Sequence, residues 1–171
     1  MDSPVLFSEK QRFKQWWFWL ILFAVNAIFL IGVVQQVILG KQFGDKPMSD
    51  TGLCIVAGIF LAITLILSFS QLHTIITREG IVVRLIPFHF GFKRYTWDQF
   101  SKVYVREYSP LTEYGGWGLR YSISGYGKAY NIAGKQGLQL EFHNGKKLLI
   151  GTQKAKELKA VLEKLVPQPD L

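Results

Sequence analysis

"GLQLEFHNGKKLLIGT" (residues 137–152) is the stretch whose reading decides the fold. Leu138, Leu140 and Phe142 alternate with Gln139, Glu141 and His143, the period of two that sends successive side chains to opposite faces of a strand. Asn144 and Gly145 supply the residue pair that a tight hairpin turn favours, and "KLLIGT" resumes as a second strand. Downstream the period lengthens. Leu158, Val161, Leu162 and Leu165 fall on one helical stripe, with Lys156, Lys159 and Lys164 off it. Thr152 suits an N-cap and Pro167 forbids continuation, so an amphipathic helix is predicted over residues 153–166.

Upstream, "HTIIT", "IVVRLIPF", "KRYTW", "KVYVREYS", "GLRYSIS" and "KAYNI" read as further short strands separated by turns. Residues 73–171 are thus expected to form a small all-β sandwich or barrel of seven or eight antiparallel strands, closed by one C-terminal helix.

Before residue 73 the composition is different. Residues 16–34 are apolar apart from Asn26, and a second apolar run begins at Leu53. Each is long enough to cross the hydrocarbon core of a bilayer as a helix. The spans are placed at about 16–38 and 53–72, joined by a polar Gly- and Pro-containing loop at 40–52 and preceded by a basic flank, residues 1–15, with Lys10, Arg12 and Lys14. The first run is too long for a signal-peptide core, and no small-residue cleavage site follows it. "WWFW" at 16–19 resembles an aromatic belt at the headgroup level. Cys54, Gly58 and Ala62 recur four apart, a small-residue seam for either the first helix or a second copy of the chain, and Asn26 is expected to hydrogen-bond a neighbouring helix. The positive-inside rule favours both termini and the β domain on the cytoplasmic side of the inner membrane.

The 171-residue chain carries a net charge of +8 and is 49% hydrophobic. From Thr77 onward there are 15 Lys and Arg against 8 Asp and Glu, so the excess lies mostly in the β region, where it would attract anionic headgroups. The charge is diffuse, with no basic run longer than two residues, which argues against nucleic acid as a partner. One cysteine excludes an intrachain disulfide. His73, His89 and His143 are scattered, and no metalloprotease, P-loop, dinucleotide or nucleophile-elbow motif occurs. No cofactor, metal or catalytic group is expected.

Together, "REGIVVRLIPF", "YTWDQFSKVYVREYSP", "EYGGWGLR" and "GLQLEFHNGKKLLIGTQK" resemble the pleckstrin-homology-like fold, and their position after two spans is similar to uncharacterised bacterial membrane proteins with a PH-like domain. The resemblance implies a membrane-proximal binding or assembly module, with a protein partner, self-association or anionic lipid as its object. Eukaryotic PH domains that bind phosphoinositides use a basic loop between their first two strands. The corresponding "REG" turn is too short for that, so those residues are not carried over.

The candidate binding region is "EYGGWGLR": Glu113, Tyr114, Gly115, Gly116, Trp117, Gly118 and Arg120, with Arg106, Tyr126, Lys128 and Asn131 nearby. Three readings stand. Trp117 packs on the sheet while Glu113 pairs with Arg120 or Arg106 and the glycines turn a corner. Tyr114 and Trp117 dip into the headgroups. Or the stretch joins Tyr126, Lys128 and Asn131 in a docking surface. The chain is expected to be a membrane-anchored interaction module. An accessory subunit of a membrane complex, with Asn26, Gln35 and Gln36 along a polar path, is the alternative, and a lipid-acting enzyme the remote one.

Overall fold

The computed structural model describes residues 4–165. It divides into two compact units, residues 14–69 and residues 4–13 together with 70–165.

The helical unit is a hairpin. Helix α1 (Trp16–Val33) runs on through a π-helical turn, Val34–Ile38, and helix α2 spans Asp50–Phe69. Its N-terminus is capped by Ser49, whose hydroxyl accepts the Gly52 N–H at 3.2 Å. The continuous apolar lengths are 23 and 20 residues. Only 6% and 11% of those stretches is buried, and both are long and apolar enough to cross a membrane. Asn26 donates to the Thr64 hydroxyl at 2.8 Å, and Phe29 stacks on Phe60 at 4.9 Å, which holds α1 to α2. Cys54, Gly58 and Ala62 are exposed, whereas Leu53 and Thr64 are buried. Cys54 and Gly58 line a groove with Asn26, Ala27 and Leu30 of α1. Gln35 bonds the loop at Gln42, and Gln36 bonds it at Met48 and Asp50, so these side chains pin the connection rather than line a path.

The β unit holds nine strands among the described residues. The first sheet contains β1 (Val5–Arg12), β2 (Gln71–Thr77), β3 (Gly80–Ile86) and β4 (Lys93–Thr96), in that order. The second contains β5 (Phe100–Glu107), β6 (Gly118–Tyr121), β7 (Lys128–Asn131), β8 (Gln136–Phe142) and β9 (Lys147–Thr152), ordered β5-β8-β9-β7-β6. A short helix, α3 (Pro110–Tyr114), links β5 to β6, and α4 (Ala155–Leu165) follows β9. Neither sheet closes on itself. Alternate residues such as Leu72 and Ile76 on β2, Val83 and Leu85 on β3, and Leu138 and Leu140 on β8 meet in one core, with Leu158 and Leu162 of α4. α4 packs on β1 of one sheet and on β5 and β8 of the other.

Three expectations are corrected. The basic flank is not a flank: Val5–Arg12 is a strand, paired antiparallel with β2 from Val5↔Thr77 to Arg12↔Gln71. The second span ends at Phe69, and Leu72 is a wholly buried core residue of β2. The second sheet is not all antiparallel, since β7 and β9 run parallel. The predicted C-terminal helix is present as Ala155–Leu165; residue 166 lies outside the described residues. Thr152 stays one turn outside it, accepting the Lys154 N–H at 3.1 Å.

β1 is secured by polar bonds as well as by its ladder. Glu9 is buried, and its carboxylate accepts the Thr152 hydroxyl at 2.6 Å and the Gln153 N–H at 2.8 Å. Gln11 donates to the Gly151 carbonyl at 2.6 Å. Glu9→Ala should cost about 1–3 kcal/mol, because it leaves buried donors without partners, and differential scanning calorimetry should report the loss. A fragment starting at residue 70 should fail to melt cooperatively, whereas joining residues 4–13 to 70–165 by a Gly/Ser linker should restore a sharp transition. Cooperative melting of the shorter fragment would contradict the role given to β1.

Candidate functional site

The stretch at 113–120 is a folded corner. Ser109 and Pro110 open α3, and the Ser109 N–H donates to Glu113 Oε1 at 2.8 Å. Glu113 Oε2 pairs with Arg106 Nη2 at 2.7 Å, with side-chain exposures of only 14% and 20%. α3 ends at Gly115, which adopts the left-handed conformation at φ 68°. The Gly115 and Gly116 N–H groups return to the carbonyls of Leu111 and Pro110 at 2.9 and 2.8 Å. The Gly118 N–H then donates to Oδ1 of Asn131, which is fully buried, at 2.9 Å. Arg120 does not reach Glu113; its Nε donates to the Trp117 carbonyl at 2.8 Å. Tyr114 is 3% exposed, which removes it from any headgroup contact, and Trp117 is half-buried.

Tyr114 connects this corner to the next loop. Its hydroxyl accepts from Arg106 Nη2 at 3.3 Å and donates to the Tyr126 carbonyl at 3.2 Å. The Arg106 guanidinium also lies over the Tyr126 ring, 5.6 Å from its centroid. Arg106, Glu113, Tyr114 and Tyr126 thus form a latch on the β6–β7 turn. Burial alone would lift the Glu113 carboxyl, but the Arg106 and Ser109 hydrogen bonds outweigh it and hold it below its ordinary 4.5. Burial likewise opposes the Arg106 charge, and Glu113 overcomes it, raising Arg106. Burial pushes the Tyr114 phenol up to about 12.

The β6–β7 turn that the latch holds is one wall of a cleft of about 880 Å³. The parallel pairing of β7 with β9 creates it. Lys128 and Leu148 are register partners, so the β6–β7 and β8–β9 turns emerge side by side. Gly127 permits the approach, at φ 81°, because a Cβ there would strike the Lys147 backbone. Each turn ends in lysine: Lys128 on one, Lys146 and Lys147 on the other. β4 supplies the facing wall, with Lys93 and Tyr95. Four lysines thus line the cleft, against Asp98 as its one carboxylate.

Tyrosines organise these cations. Lys93 Nζ lies 5.6 Å from the Tyr130 ring centroid and donates to its hydroxyl at 3.4 Å. Lys128 Nζ stands 5.0 Å over the Tyr121 ring. Burial, then the neighbouring Tyr130, pushes the Tyr95 phenol up to about 12, and burial raises Tyr130 too, so both remain proton donors at neutral pH. His89 is buried with its ring edge-on to Tyr130 at 4.8 Å; burial, then Lys93 and Lys128, lower its pKa, so it adds no charge at neutral pH. The cleft offers ammonium groups and phenol donors to an anion, with aromatic faces beside them.

Sequence reasoning singled out Lys128, but grouped it with the 113–120 stretch rather than with this cleft. It missed Lys93, Tyr95, Tyr121, Tyr130, Lys146 and Lys147. The available signal was a repeated one: "SGYGK" and "HNGKK" are both glycine turns that end in lysine. The chain matches no protein-family model, and no curated protein sequence matches it.

Glu113 gives the latch a defined pH dependence. Its folded value is depressed, so its stabilisation is complete above the ordinary 4.5 and is lost as the pH falls through the lower folded value. Amide exchange in residues 110–127 should accelerate over that acidic range, and Glu113→Ala should show the fast rates already at neutral pH, with a stability loss of about 1–3 kcal/mol. Unchanged exchange in this variant would show that the latch does not hold the turn.

Proposed function

We propose that the chain is a membrane-anchored binding module in which the hairpin crosses the bilayer and a PH-like β unit binds an anionic, phosphate-bearing lipid headgroup. The observation that carries this is the cleft with four lysines and two phenol donors beside a single carboxylate. Two departures from a seven-strand PH fold are β1, contributed from before the hairpin, and the parallel β7/β9 pair. Both serve the reading. The first ties the β unit to the chain ends of the hairpin, and the second gathers the lysines. Because β1 and β2 pair, a hairpin between them that crosses the membrane twice returns to the side it left. The basic β unit and both termini then belong on the cytoplasmic side.

The test uses the full chain in neutral detergent, titrated with dihexanoyl phosphatidylglycerol and, separately, dihexanoyl phosphatidylcholine. The anionic lipid should bind saturably and weaken as salt rises, and the neutral lipid should not. Each Lys→Gln change at Lys93, Lys128, Lys146 or Lys147 should lower affinity about fivefold, at about 1 kcal/mol per cation. Equal binding of both lipids, or full affinity in the variant lacking Lys128, Lys146 and Lys147, would refute the reading.

A further inference from the structure

The β3–β4 loop reads "PFHFGF", residues 87–92, and places phenylalanine at every second position. Phe88 is 49% exposed, Phe90 98% and Phe92 44%. Three exposed phenyl rings on one six-residue loop are an apolar patch rather than scattered surface residues. Burying one such side chain is worth about 1.5–3 kcal/mol, so leaving all three in water is unfavourable.

The loop does not expose them through laxity. The residue between the first two, His89, is buried and fastened. Its N–H donates to the Leu85 carbonyl at 2.7 Å, and its Nδ1 accepts the Leu85 N–H at 3.1 Å. Arg84 Nε donates to the His89 carbonyl at 3.4 Å. His89 points inward, and its neighbours Phe88 and Phe90 face out. Phe92 packs edge-on to His73 at 5.4 Å and carries the Arg84 guanidinium 5.5 Å from its centroid. Lys93 and Arg94 follow directly. The patch is therefore preformed and rimmed by cations.

Its place in the register identifies its partner. Arg12 pairs with Gln71, and Gln71 pairs with Ile86, so the loop leaves from the row of the sheet that is nearest in sequence to both apolar helices. Gln71 lies two residues after Phe69, the end of α2, which is at most about 7 Å of extended chain. Arg12 lies four residues before Trp16, at most about 14 Å. We propose that Phe88, Phe90 and Phe92 insert into the interfacial layer of the bilayer, with Arg84 and Arg94 at the anionic headgroups above them. Aromatic side chains suit that layer, and each well-placed cation adds about 1 kcal/mol on an anionic surface. The loop does the work that one of the three readings of the sequence gave to Tyr114 and Trp117. This inference shares the membrane anchor with the function proposed above but does not depend on the cleft.

The experiment uses the full chain with Cys54→Ser, reconstituted into vesicles of phosphatidylcholine and phosphatidylglycerol. An environment-sensitive nitrobenzoxadiazole label is placed through Phe90→Cys or, as the control at the opposite end of the sheet, Arg78→Cys. Label at position 90 should shift to the blue, be quenched by lipids carrying a shallow nitroxide, and lose at least half of the iodide quenching seen at position 78. Changing Phe88 and Phe92 to Ser should return it to solvent, which separates the loop's own affinity from that of the dye. Replacing Lys128, Lys146 and Lys147 should leave the signal unchanged, so failure of the cleft reading is distinguishable. Equal iodide quenching at both positions would overturn the inference. So would protection at position 90 that rises with the protein-to-lipid ratio, which would assign the patch to a second copy of the chain.

Discussion

The pairing of β1 with β2 is the constraint on which the β unit depends. These strands flank the helical hairpin in the chain, and they are neighbours in one sheet. The edge formed by Glu9 and Gln11 is completed only when residues near the far end of the chain arrive: Glu9 and Thr152 are 143 positions apart. Contacts of that separation carry a loop-closure cost before they return any stability. Loop-closure cost therefore favours the local β8–β9 hairpin over the pairing of β1 with the β9 end. The carboxylate of Glu9 makes that pairing specific, since a buried charge without Thr152 and Gln153 would be strongly unfavourable.

The cleft depends on a second topological choice. Had β7 lain antiparallel to β9, their lysine-bearing turns would have emerged at opposite ends of the sheet. Parallel pairing puts Lys128 beside Leu148 and sets two glycine turns side by side. Like charges brought together this way repel, and the structure offsets the repulsion with aromatic rings under Lys93 and Lys128. The Arg106–Glu113 pair keeps its own charges matched while its neighbour Tyr114 fastens the turn through the Tyr126 carbonyl. Charge is thus balanced in the latch and left unbalanced in the cleft.

What could be read from the sequence was what repeats locally. The two apolar runs, the β8–β9 hairpin and the stripe on α4 all declare themselves within a few residues. β1 did not, for a definite reason: its inward-facing residues are Phe7, Glu9 and Gln11, so two of the three buried positions are polar and the alternation is hidden. The parallel pair was equally hidden, because strand order is not written in any one strand. In the candidate region, the pairing of Glu113 with Arg106 was legible as one of two choices. The burial of Tyr114 was not, since it follows from a hydroxyl that meets a carbonyl twelve residues on. Lys93, Lys146 and Lys147 looked like ordinary surface cations, and only the packing of the two turns against β4 makes them a set.

Lys93 links the two surfaces of the β unit. It directly follows the phenylalanine loop in sequence, and its ammonium reaches Tyr130 within the cleft. His89 makes the same connection from the other side, anchored to Leu85 of β3 while its ring meets Tyr130. A displacement of the loop would therefore be felt at Tyr130, and through Tyr130 at the hydroxyl of Tyr95. Packed aromatic contacts of this kind transmit small shifts rather than absorbing them, because the interior has no slack volume.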